Sequence, residues 1–264
     1  MRPDPVRAPP PRISVRGLVK QFEIKGARVD AINGMDFEVA DGEFVCLVGP
    51  SGCGKTTALR IIAGLESLTA GEVEVRYQFP KQPTNAMVFQ DHSIFPWMTV
   101  EKNVEFGLLQ SDLAPVRRKE RVDQFIETVG LGRFRNAYPH QLSGGMKQRV
   151  SIARAFAADP EVLLMDEPFG ALDEQTRLVL QEELLRIWNG TRKTVVFITH
   201  SIEEAVALAD RVIVLSAHPG RVKAAVPIEI ARPRRIVELR RDPAFGEYVY
   251  GIWQQLQDVG AAHG

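Results

Sequence analysis

Short runs of apolar residues alternate with helical patterns along most of the chain. Four runs have uninterrupted apolar centres: Phe44–Val48, Val162–Met165, Thr194–Thr199 and Arg211–Ser216. Runs of this kind are typical of strands that are buried on both faces, as in parallel sheets. Helical patterns occupy about Lys55–Gly64, Ser143–Ala158, Glu174–Asn189 and Ile202–Asp210. The alternation predicts an α/β domain with a mostly parallel sheet.

The N-terminal part of the chain is richer in strand patterns. Short alternating pieces such as Ile13–Gly17 and Met35–Val39 predict strands, with turns at Ile32–Gly34 and Asp41–Gly42. Two further strands are predicted at Gly71–Arg76 and Ala86–Phe89. The segment from Thr99 to about Gly132 is charged and helical in pattern, and Val116–Val129 is amphipathic. It is interpreted as a helical insert between the two halves of the sheet.

Composition narrows the class of protein. The chain has 264 residues, 45% hydrophobic and 25% charged, with a formal net charge of zero. This is ordinary for a globular protein and argues against one that coats nucleic acid. No window contains the roughly 20 apolar residues that a membrane helix needs. Residues 1–11 are rich in Arg and Pro without an apolar core, so they are expected to be a disordered tail and not a secretory signal. Cys46 and Cys53 are expected to be reduced thiols, the first in the core.

A glycine-rich loop follows the first apolar run. Residues 49–56 fit the pattern G-x-x-x-x-G-K-[ST] between a strand and a helix. Glycines let backbone N–H groups approach phosphate oxygens, and the start of a helix adds positive charge. Lys55 adds a full charge for the β- and γ-phosphates, and the Thr56 hydroxyl is suited to Mg²⁺. The predicted nucleoside-triphosphate site is formed by Gly49, Pro50, Ser51, Gly52, Cys53, Gly54, Lys55, Thr56 and Thr57.

Two carboxylates follow the second apolar run. Asp166 and Glu167 stand at the carboxyl end of a predicted buried strand, which is where α/β proteins bind ligands. Asp166 is positioned to hold Mg²⁺ directly or through water. Glu167 is positioned to orient or deprotonate an attacking water.

A second glycine-rich run precedes the acidic strand. Ser143 is a favourable N-cap, and Gly144 and Gly145 leave backbone N–H groups bare for another anion. Because residues 49–56 already form one phosphate site, a second makes sense if it serves a nucleotide held by another molecule. With Gln141 before it, the run from Leu142 to Arg149 resembles the signature motif of ABC ATPases.

The resemblance assigns roles to further residues. Gln90 is similar to the glutamine that senses Mg²⁺ and couples to a membrane subunit, and Ala171-Leu172-Asp173 resembles the D-loop. His200 resembles the switch histidine that contacts the γ-phosphate. Phe22 lies where the family places an aromatic against adenine, although a Phe in a strand is also typical of a core. The implied catalytic residues are Glu167, His200 and Lys55, and the implied ligands of Mg²⁺ are Thr56, Gln90 and Asp166.

The resemblance covers roughly Ile13 to Val226 and implies a P-loop ABC ATPase fold, with a mixed sheet core, an N-terminal antiparallel β subdomain and a helical subdomain. The expected domain spans residues 12–231, with the helical subdomain at about 98–158 and a C-terminal helical extension at 232–264. The extension contains a basic run that is expected to be a solvated helix face, with lipid headgroups as the alternative contact: Arg232, Arg234, Arg235, Arg240 and Arg241.

Several stretches resemble the nitrate, sulfonate and taurine importer subfamily, namely Phe95–Val100 with Asn103-Val104, Ser143–Met146, Pro168–Asp173 and His218–Arg221. Residues 76–85 depart from it, because they lack the expected glycine-containing hairpin and Pro-Gly-Asp-Arg run. The resemblance implies an ATPase that powers uptake of a small anionic solute through a separate permease. It would lie at the cytoplasmic face of the inner membrane and act indirectly with a periplasmic or lipid-anchored solute-binding protein.

The family mechanism implies a homodimer in which each of two ATP molecules lies between one chain's phosphate loop and the other chain's Ser143–Gly145. Two alternatives remain: an ATPase of a different importer class, and a non-transport ABC ATPase that acts on nucleic acid. The second would carry long heptad repeats between Lys55 and Asp166, and none are present there. No nucleic-acid partner is therefore expected, and the sequence does not specify the solute.

Overall fold

The computed structural model describes residues 10–78, 83–91, 93–109, 111–170 and 172–257. The described residues form nine strands: β1 (Ile13–Ile24), β2 (Ala27–Val39), β3 (Phe44–Val48), β4 (Ala70–Val75), β5 (Asn85–Val88), β6 (Val162–Asp166), β7 (Thr194–Ile198), β8 (Arg211–Leu215) and β9 (Val222–Pro227). The helices are α1 (Lys55–Ile62), α2 (Val100–Phe106), α3 (Pro115–Thr128), α4 (Gly144–Ala157), α5 (Glu174–Thr191), α6 (Ile202–Leu208), α7 (Ile236–Leu239) and α8 (Pro243–Gln257). Most of the predicted tail and the last residues of the expected extension lie outside the described residues.

Two sheets carry the fold. The larger has the strand order β5-β6-β7-β3-β8-β9, in which all neighbours are parallel except the antiparallel pair β8 and β9. The smaller is antiparallel, with the order β2-β1-β4. The predicted α/β class with a mostly parallel sheet is confirmed. The edge strand β9 was missed, because its alternating half-buried and exposed residues do not form a continuous apolar run.

The central strand β3 is buried on both faces. Phe44, Cys46 and Val48 point into a large cluster formed mainly with the helices, and Val45 and Leu47 point into a second cluster with β1, β2 and α1. Successive side chains of a strand face opposite sides, so a strand between two apolar layers needs apolar residues at every position. This explains the continuous apolar runs, and it confirms Cys46 as a core residue.

The antiparallel pair β1 and β2 corrects one prediction. The turn predicted at Ile32–Gly34 is wrong, because β2 continues through these residues. Leu18 pairs with Met35 and Val19 pairs with Asn33, so Gly34 is an extra residue in the ladder, with a φ of 75°. A bulge at glycine bends a strand without ending it, and the fully buried side chain of Ile32 keeps this part of the strand in the core.

The basic run after β9 is partly internal, which corrects the expectation of a solvated face. The guanidinium of Arg232 lies 4.2 Å above the Trp188 ring and donates to Asp210 at 2.8 Å. Arg234 is 6% exposed. It donates to five carbonyl oxygens, those of Val206, Ala207, Ala209, Ile228 and Ile230. Neither side chain is available to lipid headgroups.

Two features make Arg234 a structural tie, meaning a side chain that connects the end of α6 to the segment after β9. Its partners include the last carbonyls of α6, where a helix favours positive charge. Burial lowers the pKa of Arg234 to about 10, so the side chain stays protonated at neutral pH.

The remaining arginines of the run, at positions 235, 240 and 241, are exposed. Within the described residues, none of the helices combines the length and hydrophobicity that a membrane span requires.

Replacing Arg234 by Met should destabilise the protein strongly. Five carbonyl oxygens would lose a charged donor, so we expect the free energy of unfolding to fall by about 3 kcal/mol or more. The adjacent Arg235→Met is the matched control, because its side chain is 76% exposed, and it should change stability by less than about 0.5 kcal/mol. Chemical denaturation of both variants checks this, and equal stabilities would contradict the tie.

Candidate nucleotide site

The predicted phosphate loop connects β3 to α1 at the carboxyl edge of the large sheet. Gly54 caps α1 with a φ of 86°, a left-handed conformation that glycine adopts without strain. The ammonium of Lys55 donates to the carbonyls of Gly49 at 2.8 Å and Pro50 at 2.9 Å. The lysine charge therefore lies against the loop, at the positive end of the helix.

Close packing fixes the shape of this loop from behind. A Cβ added at Gly54 would lie 2.6 Å from the side chain of Ile32, and one at Gly49 would lie 2.9 Å from the sulfur of Cys53. Burial raises the pKa of the Cys53 thiol, which lies 3.8 Å from the Lys55 nitrogen. The glycines are therefore required by the backbone of the loop and by the strand β2 that supports it.

A segment after β8 completes the support. The N–H of Gly220 donates to the carbonyl of Ala31, and its carbonyl accepts from the N–H of Asn33, both at 3.2 Å. A Cβ at Gly220 would lie 1.9 Å from the carbonyl oxygen of Cys53. The segment His218–Arg221 thus lies directly behind the phosphate loop. In the sequence analysis it supported only the subfamily resemblance.

The end of β6 places a carboxylate beside the loop. The hydroxyl of Thr56 donates to Asp166 at 2.9 Å, and Asp166 is 2% exposed. Burial raises the pKa of Asp166, and the hydrogen bond from Thr56 opposes that rise.

These two oxygen ligands fit Mg²⁺, which takes few protein ligands in nucleotide sites and completes its shell with phosphate oxygens and water. Clusters of three or more His, Cys, Asp or Glu that could hold a metal are absent from the described residues. A metal at Thr56 and Asp166 would therefore depend on the nucleotide for further ligands. That dependence is typical of sites where the ion arrives with ATP.

Glu167 is held between two predicted partners. One carboxylate oxygen lies 2.6 Å from Nε2 of His200, and the other accepts from the Gln90 amide at 3.3 Å. The backbone of Glu167 has a φ of 46°, in the left-handed region that is strained for a residue with a side chain. Strain of this kind persists where surrounding contacts determine the conformation, and here His200 and Gln90 contact the carboxylate.

One cavity of about 270 Å³ brings together nine of the eighteen predicted site residues. It is lined by Ala31, Ser51, Gly52, Gly54, Lys55, Thr56, Thr57, Gln90, Glu167 and His200. Phe22 is not among them. It lies half-buried in β1, where the Lys20 nitrogen is 4.7 Å from its ring centroid. The adenine contact of Phe22 stays a prediction.

The second glycine-rich run lies outside this cavity. Ser143 caps α4 by accepting from the N–H of Met146 at 3.3 Å. Asp173 caps α5 by accepting from the N–H of Thr176 at 2.9 Å. A Cβ at Gly145 would lie 3.1 Å from the side chain of Thr176, so the two helix starts are adjacent. Ser143, Gly144 and Asp173 are all exposed. Ala171 of the predicted D-loop lies outside the described residues.

Sequence reasoning did not select Gly220 or Glu204 as functional residues. Gly220 packs against Cys53, which is 167 residues away in the sequence. Glu204 had a detectable signal, because it directly precedes Ala205–Leu208, a full helical turn without a polar side chain. A carboxylate next to such a turn is uncommon, since acidic residues are rarely fully buried.

Comparisons with known proteins agree with the motifs. The model of the ABC transporter family matches residues 32–170. An uncharacterised ABC transporter ATP-binding protein of Methanocaldococcus jannaschii is 53% identical over 94% of this chain and 92% of its own length. A nitrate import ATP-binding protein of Synechocystis is 44% identical over 89% and 91%. An aliphatic sulfonates import ATP-binding protein of Bacillus subtilis is 42% identical over 93% and 95%.

The solved structures agree as well. A dimeric structure of an ATP-binding cassette in a post-hydrolysis state, bound to ADP and Pi, superposes with a TM-score of 0.74. Its sequence is 30% identical, and the match covers 83% of this chain and all of that one. The resemblance to the nitrate and sulfonate importer ATPases and the expected P-loop fold are both confirmed.

Replacing Gly220 by Ala should weaken ATP binding. The new methyl group would overlap the Cys53 carbonyl, so the phosphate loop or the segment behind it must move. We expect the dissociation constant for ATP to rise by about tenfold or more, because small displacements of binding groups have large effects. Calorimetric titration of the purified chain measures this. Gly190→Ala is the control, since a Cβ there meets nothing within 4 Å. Wild-type affinity in Gly220→Ala would contradict the supporting role.

Proposed function

The chain belongs to the ABC transporter family and is an ATPase, and we propose that it powers import of a small anionic solute through a separate permease. The observation that carries the proposal is the placement of Glu167. It lies between Gln90 and His200, in a cavity that also contains the phosphate loop and adjoins Asp166. This is the arrangement that hydrolysis of a bound triphosphate requires.

The anionic solute is supported by the names of relatives. The nitrate and aliphatic sulfonates import proteins match at 42–44% identity over most of this chain. Both names refer to anions with a central atom bonded to several oxygens. The solute itself would contact the permease and a solute-binding protein, so the site described above does not select it.

The chain's own residues perform the proposed hydrolysis in defined roles. Lys55 and the N–H groups at the start of α1 bind and orient the phosphates. Thr56, Asp166 and Gln90 would hold Mg²⁺, which supplies charge neutralisation at the phosphate oxygens. Glu167 accepts the proton of the attacking water, and His200 fixes the carboxylate and contacts the γ-phosphate.

The expected contributions to lowering the activation barrier distinguish these roles. Positioning of the reacting groups can contribute about 7–11 kcal/mol to lowering the barrier. A general base typically contributes about 3–5 kcal/mol. Loss of Lys55 should therefore damage binding and chemistry together, whereas loss of the Glu167 charge should chiefly slow chemistry.

A second copy of the chain would complete the site. The capped starts of α4 and α5 are exposed and lie apart from the cavity of their own chain, although helix starts favour anions. We infer that Ser143, Gly144, Gly145 and Asp173 contact the ATP that is bound to a partner chain. The dimeric assembly of the solved relative supports this arrangement.

The contact with the permease is proposed for the segment from Gln90 to Asn103. The Asn103 side chain is fully buried and holds the segment by accepting from the Phe95 N–H at 2.7 Å and donating to the carbonyls of Met98 and Thr99 at 3.0 Å. The Trp97 side chain above it is 70% exposed. A loop held by these hydrogen bonds, with an exposed aromatic residue, is suited to bind a partner, and Gln90 lines the ATP cavity at the other end of the segment.

Replacing Glu167 by Gln should slow hydrolysis while preserving ATP binding. The amide keeps the shape of the side chain but cannot accept the proton of water. We expect kcat to fall by about 10²-fold or more, and the dissociation constant for ATP to change by less than about threefold. Phosphate release and calorimetric titration measure the two quantities. Hydrolysis at the wild-type rate would show that Glu167 has a different role.

The proposed solute class predicts a specific transport defect. A strain that lacks this chain should lose uptake of nitrate or of an alkanesulfonate such as taurine, and regain it with the wild-type gene but not with Glu167→Gln. Uptake of an amino acid serves as the control for general effects on the cell. Normal uptake of every tested anion, with loss of another solute, would assign the chain to a different importer class.

A further inference from the structure

A second cavity adjoins the nucleotide cavity. It has a volume of about 450 Å³, and the two cavities share Gln90, Glu167 and His200. Its opposite wall includes Thr199 and Glu204. Glu204 is 6% exposed, and no step of the proposed hydrolysis uses it. A buried carboxyl group this close to the reacting groups needs a physical explanation, because burial of an acid without partners is unfavourable.

The partners of Glu204 surround the histidine. Thr199 and Glu204 line this cavity together, and burial raises the pKa of the Glu204 carboxyl while the Thr199 side chain lowers it. The Thr199 hydroxyl oxygen accepts from the N–H of Ser201 at 3.0 Å. The Ser201 hydroxyl caps α6 by accepting from the N–H of Glu204 at 3.2 Å. Glu204 thus contacts the residues on both sides of His200, Ser201 through its backbone N–H and Thr199 within the cavity lining.

A second connection runs from Glu204 to α5. The amide of Gln181 donates to the carboxyl at 2.5 Å. Arg177 lies one turn earlier on α5, and its positive charge acts on Glu204 while its guanidinium donates to the Leu172 carbonyl at 2.9 Å. Leu172 immediately precedes Asp173, which caps α5. The carboxyl therefore fixes the histidine segment relative to the helix that begins at the predicted D-loop.

The charges and dipoles around Glu204 agree with a carboxylate that accepts hydrogen bonds from its neighbours. Burial raises the pKa of Glu204, and the hydrogen bonds from Thr199 and Gln181 and the charge of Arg177 oppose that rise. All three neighbours favour the ionised carboxylate, which has acceptor capacity for both hydrogen bonds. An amide at this position would have only one acceptor oxygen.

We propose that Glu204 is a positioning residue for ATP hydrolysis, which acts through Thr199 and Ser201 to hold His200 against Glu167. The proposal rests on the roles proposed above for His200 and Glu167. Glu204 is not part of the lining of the cavity that contains the phosphate loop. It affects the contact between Nε2 of His200 and the Glu167 carboxylate, which are 2.6 Å apart, and not the binding of the phosphates.

Replacing Glu204 by Gln tests the proposal. One of the two donors would lose its acceptor, and the histidine segment would shift or loosen. We expect kcat to fall by about tenfold or more, since small displacements of catalytic groups strongly reduce rates. The dissociation constant for ATP should stay within about twofold of the wild-type value. Glu203→Gln is the control on the same turn, because its side chain is 58% exposed, and it should hydrolyse ATP at the wild-type rate.

An exchange of the two side chains separates positioning from general damage. In the double variant Gln181→Glu with Glu204→Gln, the amide at 204 can accept from Thr199 and donate to the new carboxylate at 181. We expect this variant to recover kcat to within about threefold of wild type. Thr199→Val removes only the hydroxyl link, and it should lower kcat in the same direction while ATP affinity is retained.

The outcomes are distinct. The proposal is overturned if Glu204→Gln has a wild-type kcat, or if kcat and ATP affinity fall together and the exchange restores neither. If Glu204→Gln does not fold, a wild-type kcat in Thr199→Val overturns it, and a reduced kcat with retained ATP affinity supports it. Failure of the proposed hydrolytic role is recognised separately, by wild-type hydrolysis in Glu167→Gln on an otherwise unchanged chain.

Discussion

The candidate chemistry depends on one constraint, the common edge at which the parallel strands β3, β6 and β7 end. β3 leads into the phosphate loop, β6 ends at Asp166 beside Glu167, and β7 is followed by His200. The strands pair in register, so their carboxyl ends bring together groups that are far apart in the sequence. The sheet can impose this geometry because both of its faces are buried, and side chains on both faces oppose any slip in register.

Within that frame, the cavity groups are positioned by contacts that lie behind them. Gly220 supports the phosphate loop through the Cys53 carbonyl, and Gln90 and His200 hold a Glu167 whose backbone is strained. Strained or close-packed backbone is stable only where the surroundings determine it fully. The site therefore depends on β2, α5 and the segment after β8 as well as on the motif residues. The proposed role of Glu204 is a further case, because it positions His200 through neighbouring residues.

Sequence patterns were sufficient where one local rule determined the structure. Continuous apolar runs identified the buried strands, Ser143 identified the start of α4, and the phosphate loop and acidic pair identified the cavity. They failed where a contact between residues far apart in the sequence determined the structure. Gly34 forms a bulge because the strand beyond it is held in the core, and Arg234 is buried because carbonyls at the end of α6 lie within its reach. Local sequence carries no sign of either contact, and the same holds for Gly220.

In the proposed dimer, ATP joins two copies of this chain, with the exposed starts of α4 and α5 from one copy covering the phosphate loop of the other. The most direct measurement is the molar mass by light scattering, with the nucleotide content, of the Glu167→Gln chain in saturating ATP and Mg²⁺. We expect a dimer that contains two ATP molecules, and monomers when ADP replaces ATP. A chain that binds ATP and stays monomeric, both alone and with the proposed permease present, would contradict this arrangement.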